Sequence, residues 1–166
     1  KDTTFWPTAA QRARMATLYV QGDQGISPNP DPDRLNTPMP DSGGGGLITS
    51  IESYARFAMM LANEGELGGV RLLAPATVRL MGSRIIADTL PGRQPGEGYG
   101  LGVRVVTDPA ARRTLLGPGS YGWSGAYGTH FWVDPSRRLT AILFVETPGQ
   151  TRTGDFETAV MQAVLD

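Results

Sequence analysis

The 166 residues contain no cysteine, one lysine (Lys1) and one histidine (His130). The first absence removes disulfides, thiol chemistry and thiolate metal sites. It leaves the compartment open, because a chain without cysteine suits oxidising and reducing surroundings alike. One imidazole without cysteine builds no histidine-based zinc site, and no carboxylate cluster replaces it, so neither a metal nor a cofactor is expected. No apolar run approaches the roughly 18 residues that a membrane-spanning helix needs. Nor does one sign of charge dominate: 15 Lys+Arg against 16 Asp+Glu leave a net charge of -1. That is no field for nucleic acid, and the pairs Arg112-Arg113 and Arg137-Arg138 read as solvated charges beside turns. The N-terminus lacks both the basic stretch and apolar segment of a signal peptide and an initiator Met. This points to a start inside a longer polypeptide, unless a leader has been processed away.

What is present fits a soluble globular domain: 40% hydrophobic and 19% charged residues, in a chain long enough to bury a core of its own. Glycine and proline divide it into segments. Prolines at 28, 30, 32, 38 and 40 and the run Gly43 to Gly46 exclude regular structure, so residues 25–46 read as one long loop within the domain. Thr49 with Glu52 then forms a capping-box pattern. Tyr54, Phe57, Ala58 and Leu61 follow at helical spacing until Gly65, which predicts a helix over 50–64. Val70 to Leu73 is short and extended, and Pro75 opens a second helix to about Met81 with Leu73 and Val78 stapling its entry.

Beyond Gly92–Gly98 the period changes. Segments 99–106, 129–133 and 139–146 are rich in Val, Ile, Phe, Trp and Thr, and the Asp134-Pro135-Ser136-Arg137 interval has the composition of a hairpin turn. The run Thr140 to Val145 is apolar on both faces, which predicts a strand in the middle of a sheet covered on both sides. From about Asp155 to Leu165, Phe156, Val160, Met161 and Val164 return to a helical stripe. Helices, hairpin-linked strands and a closing helix, without alternating crossovers, give an α+β fold: an antiparallel sheet flanked by helices.

Two motifs near residue 120 fail on context. Gly117-Pro118-Gly119-Ser120-Tyr121-Gly122 matches a dinucleotide fingerprint, but no helix begins there. Gly122-Trp123-Ser124-Gly125-Ala126 approaches a nucleophile elbow, but no acid separates Ser124 from His130 and no later histidine follows. The strand-to-helix turn is also missing, and His130 reads as pocket rim or surface.

A third pattern runs through most of the chain. Lys1 to Phe5, Gly44-Gly45-Gly46-Leu47-Ile48-Thr49-Ser50 with Tyr54 to Phe57, Gly69 to Val78, Tyr99-Gly100-Leu101-Gly102, and Gly122-Trp123-Ser124-Gly125 with Gly128-Thr129 and Asp134-Pro135 follow one another in order. Together they resemble the C-terminal half of serine β-lactamase-related and penicillin-binding-protein-like hydrolases, nearest to class C β-lactamases and family VIII carboxylesterases. The resemblance implies a β-lactamase/transpeptidase-like fold, of which residues 1–166 would be an incomplete, C-terminal part of one domain. It also implies a bacterial protein of the cytoplasm or periplasm and an acyl-enzyme mechanism on an ester, an amide or a β-lactam.

In that family three elements meet: a Ser-x-x-Lys nucleophile, a Tyr-x-Asn or Tyr-x-Ser element, and a Lys-Thr-Gly strand. Trp123-Ser124-Gly125 occupies the place of the third and resembles the Trp-Gly-Gly variant of the esterases. The implied site is therefore Trp123, Ser124, Gly125, Tyr121 and Tyr127 around the substrate, with the backbone N–H of Ala126 as an oxyanion donor. An indole in place of a cation offers an apolar wall and one N–H, which favours neutral esters or amides over carboxylated substrates. The first two elements are absent: with Lys1 the only lysine there is no Ser-x-x-Lys, and no tyrosine has Asn or Ser two residues on. Alone, the chain is expected to be inactive. Either it is part of a roughly twofold longer hydrolase whose N-terminal half is its partner, or it is a non-catalytic ligand-binding homologue. Without that half, an apolar sheet edge invites homo-oligomers.

Overall fold

The computed structural model describes residues 2–29, 41–86, 91–147 and 151–164. Five helices and nine strands occur among them: α1 (Ala9–Arg12), β1 (Tyr19–Gly22), β2 (Gly25–Pro28), α2 (Ile51–Ala62), β3 (Glu66–Leu67), β4 (Val70–Arg71), α3 (Pro75–Met81), β5 (Glu97–Tyr99), β6 (Arg104–Val106), α4 (Pro109–Arg112), β7 (Tyr121–Ser124), β8 (His130–Asp134), β9 (Leu139–Leu143) and α5 (Thr151–Ala163). Strands β5-β6-β7-β8-β9 form one antiparallel sheet in that order, and β1-β2 and β3-β4 are separate hairpins. The α+β arrangement of an antiparallel sheet flanked by helices is the observed fold.

The sheet separates two cores, and the alternation along β8 shows why. Phe131 and Val133 face the cluster that α2 and α3 close with Ala58, Leu61 and Val78, while Trp132 faces Leu116, Ala141 and Met161 beneath α5. All five residues of β8 are buried, as for a central strand covered on both faces. The stripe Phe156, Val160 and Met161 seats α5 on the second core, its ring contact being Trp132 against Phe156 at 5.5 Å.

Several local expectations are revised. Helix α2 is capped by Ser50, whose Oγ accepts from Ser53 N, and not by Thr49, whose hydroxyl instead meets that of Thr3 at 2.8 Å. That contact and the Thr4–Ile48 bridge hold the N-terminal segment beside the helix start. Segment 99–106 is a hairpin, β5 and β6, because Gly102 at a φ of 71° reverses the chain and Gly100 N–H donates to Val103 O. The long loop 25–46 begins with a strand, since β2 pairs with β1; residues 30–40 of it lie outside the described residues, as does Leu165 of the last helix. Finally, β9 ends the sheet order and is not its middle strand. Both α2 and α5 pack on it, so apolarity on both faces reports helices above and below, and says nothing of lateral neighbours.

Candidate active site

Strand β7 is paired on both sides for only half its length. On one side β8 matches all of it, from Tyr121↔Val133 to Ser124↔His130; on the other, β6 reaches only Tyr121 and Gly122. Among the described residues, Trp123 and Ser124 therefore have a free strand edge. The chain then turns through Gly125 to Thr129: Gly125 N–H donates to Thr129 O at 2.7 Å and Gly128 N–H to Gly125 O at 3.1 Å. Between them Ala126 is exposed, and no described residue accepts its N–H. A side chain at Gly125 would overlap the Thr129 hydroxyl, so glycine there leaves room for Thr129 to pack across the turn.

Trp123 is 48% exposed, with the edge of its ring pair against Tyr99 at 6.0 Å. Its indole is thus held by an aromatic neighbour while most of a face stays open. Tyr127 is half-buried in the turn. Tyr121 is a core residue at the end of β7 away from Trp123, so it lies outside the group that borders the free strand edge. It lies in the cluster with Leu61 and Val78, its hydroxyl points at Leu61 O (3.5 Å), and burial pushes its pKa up to about 12. A cleft of about 480 Å³ opens at that opposite end of β7, between Leu61, Val78, Arg79, Tyr121 and Arg138, away from the Gly125 turn.

His130 is 2% exposed, which corrects the expectation of a rim or surface residue. As the first residue of β8 it shares a face with Trp132 and so points toward α5. Its Nδ1 lies 2.9 Å from Ser124 Oγ, its cross-strand partner, and its Nε2 lies 3.0 Å from Glu157 Oε1 on α5. The second contact is short but too oblique for a well-formed hydrogen bond. A hydroxyl, an imidazole and a carboxylate are therefore brought together, though in the chain order Ser, His, Glu and not the Ser, acid, His that a nucleophile elbow requires.

Behind them lies a buried ion cluster. Glu97, also 2% exposed, takes Arg112 Nε at 2.5 Å and Arg104 Nη1 at 3.5 Å, and Arg104 Nη2 reaches Glu157 at 3.4 Å. Two carboxylates face two guanidiniums from β5, α5, β6 and α4, so their formal charges cancel. The Ser124–His130 pairing was accessible to sequence reasoning as the last rung of a hairpin closed at Gly125–Thr129. Glu157 was not, since nothing local ties one turn of a distant helix to a strand.

At the far end of β8, Asp134 is fully buried and accepts from Ser136 N and Oγ and from Arg137 N and Nη1. Burial alone would raise its pKa, but these hydrogen bonds outweigh it and hold the carboxyl below its usual value. They shape the Asp134–Arg137 turn. No group of three or more His, Cys, Asp or Glu that could hold a metal occurs among the described residues, and none of their helices is long and apolar enough to cross a membrane.

The family model for Beta-lactamase matches residues 1–165. Protein Rv1367c of Mycobacterium tuberculosis (strain ATCC 25618 / H37Rv) is 36% identical over 157 residues, which are 87% of this chain and 39% of the relative. Esterase EstB of Burkholderia gladioli is 33% identical over 124 residues, 74% of this chain and 30% of the relative. Among solved structures, EstCE1, described as a hydrolase with promiscuous acyltransferase activity, superposes with a TM-score of 0.81 at 23% identity, covering 99% of this chain and 46% of its own. Simvastatin synthase LovD from Aspergillus terreus gives 0.81 at 20% identity, covering 100% and 47%. At such identities the two structures show a shared fold. The chain spans less than half the length of each of these proteins. Matched over residues 1–165 and built on the same sheet and helices, it belongs to the β-lactamase family of serine hydrolases.

Proposed function

We propose that this chain forms one wall of an acyl-transfer site in a longer serine hydrolase, one that acts through an acyl-enzyme on neutral esters or amides. The nucleophile is carried on polypeptide outside these residues. The observation that carries the reading is the free half of β7: an exposed indole at Trp123, followed by an Ala126 N–H that no described residue accepts. An acyl oxyanion needs backbone donors that are fixed in place and not already spent, and a strand edge leading into a tight turn supplies one. Trp123, Ser124, Gly125 and Tyr127 border the substrate. With no cation at the strand, an ester's apolar groups rest on the indole, and a substrate carboxylate finds no counter-charge there.

The test is hydrolysis by the complete gene product of short neutral acyl esters beside a cephalosporin. Faster turnover of the esters is the expected result; a preference for the cephalosporin refutes the substrate class. A second reading, a ligand-binding homologue without catalysis, is favoured by one observation: Lys1 is the only lysine, so this chain holds no Ser-x-x-Lys. A complete gene product that likewise lacks that motif would select it.

A further inference from the structure

The turn that joins β8 to β9 sets a guanidinium at the end of the sheet farthest from the Gly125 turn. Buried Asp134 accepts from the backbone N–H groups of Ser136 and Arg137 and so fixes that turn, and Arg138 leaves it at a φ of 50°. Arg138 lines the cleft of about 480 Å³ that opens there with Leu61, Val78, Arg79 and Tyr121, roughly 13 Å from Gly125 at the rise of an extended strand. That volume falls within the range of about 300–1,000 Å³ that small-molecule sites occupy. The floor of the cleft is core: Leu61 of α2, Val78 of α3 and Tyr121 of β7 are all buried. A side chain at Gly82 would overlap the Tyr121 ring, so glycine is what lets the end of α3 lie against it.

The rim is charged, and its charges do not cancel. Arg79 Nη1 lies 2.8 Å from Glu64 Oε1, which neutralises that pair. Arg137 is engaged by Asp134, whereas the guanidinium of Arg138 has no ion-pair partner among the described residues. The helix ends beside the cleft offer a cation little in return: the carbonyls of Met59, Met60 and Leu61 in α2 accept from Asn63, Gly65 and Glu64, and those of Val78 and Leu80 in α3 accept from Gly82 and Ser83. We propose that this cleft is a second binding site, for a small organic anion whose apolar body rests on Leu61, Val78 and Tyr121 while its carboxylate meets Arg138. A guanidinium takes a carboxylate through two parallel hydrogen bonds, which fixes the orientation of the ligand as well as its charge. The same rim opposes a covering protein surface, since burying Glu64, Arg79 and Arg138 together would strip water from three charges. The site lies outside the acyl-transfer wall and does not depend on it.

The complete gene product is titrated calorimetrically with octanoate, octanamide and octylammonium. Octanoate should bind most tightly, and more weakly as salt is raised, because the guanidinium it meets is exposed. Arg138→Asn removes that charge and keeps the turn, since asparagine adopts positive φ readily. Octanoate affinity should then fall about fivefold, the upper range for an exposed ion pair, while Trp123→Ala leaves it in place. Equal affinity for Arg138→Asn and the unaltered protein, loss of octanoate binding in Trp123→Ala, or octylammonium binding as tightly as octanoate overturns the site. So does the absence of octanoate binding, which would mean that the cleft is closed or covered. The readout is binding and the Trp123 variant separates the two places, so failure to hydrolyse esters counts against the proposed function alone.

Discussion

Ser124 and His130 face each other across the last rung of the β7–β8 hairpin, hydroxyl oxygen to Nδ1 at 2.9 Å, with Glu157 of α5 closing the line at 3.0 Å from Nε2. The pairing joins the exposed end of the candidate site to a charge cluster inside the protein.

Removing one member of that cluster should be costly. Glu97→Gln leaves Arg112 and Arg104 without their shared carboxylate in a largely dry site, and a loss of about 2–3 kcal/mol is expected, below the full cost of breaking a buried pair because both arginines keep some exposure. Urea unfolding checks it; a change under about 0.5 kcal/mol would mean the cluster is solvated in solution.

Gly125→Ala should destabilise by about 1–3 kcal/mol, the usual cost of overpacking, because the new methyl meets Thr129 Oγ1. Thr129→Ala removes that oxygen, so the double substitution should recover most of the loss. Strict additivity in the cycle would show that the two positions do not touch.

Asp134 predicts an acid limb in the stability curve. Its carboxyl is held below the usual value in the fold, so its contribution is complete above the unfolded carboxyl range, about pH 4, and is lost as pH falls through the lower folded value. Glu146, whose burial raises its pKa, works in the opposite sense, so the comparison must be made by difference. Asp134→Asn should be less stable by about 2 kcal/mol at pH 7 and close the gap toward acid. Melting temperatures of the two proteins that run parallel from pH 7 to about pH 2 would refute the assignment.

Strand β9 ends the sheet among the described residues and carries the apolar sequence Leu139 to Leu143. We expect the isolated chain to pair along this edge, or to bind the further polypeptide proposed to carry the nucleophile, giving dimers or larger species in sedimentation. A clean monomer of the unaltered chain would count against both.

In the complete gene product, Trp123→Lys should restore a counter-charge beside the site. Carboxylated over neutral substrates should gain on the order of tenfold in relative kcat/KM, about 1.4 kcal/mol. An unchanged ratio would mean that the indole does not border the substrate.

The elements with strong periodicity were legible. Helix α3 runs from Pro75 to Met81 as its proline and staple implied, and β8 and β9 followed from their apolar, β-branched and aromatic runs and the Asp134 turn between them, whereas β7 was reached only through the family resemblance. Residues 99–106 were misread as one strand because Gly100 and Gly102 sit inside an apolar run whose composition outweighed two turn residues. Strand β1 had no reading and β2 read as the start of the loop 25–46, because their hairpin is mostly exposed and shows little alternation. At the candidate site, the sequence pointed to Trp123 and Ala126 through family resemblance. It concealed the environment of His130, since burial of a lone polar residue depends on a partner, Glu157, that only the packing of α5 brings near. Nor did it show that Tyr121, two residues before the exposed indole and on the same face of β7, is covered by the core while Trp123 stays open.

The most direct measurement is to trap the acyl-enzyme of the complete gene product with a short activated ester and locate the acyl group by peptide mass spectrometry. We expect it on a serine of a Ser-x-x-Lys outside these 166 residues, with trapping slowed when Trp123 is replaced. An adduct on Ser124 would contradict this: Ser124, His130 and Glu157 would then be the reacting groups, and the chain would be no mere wall of a site but the site itself.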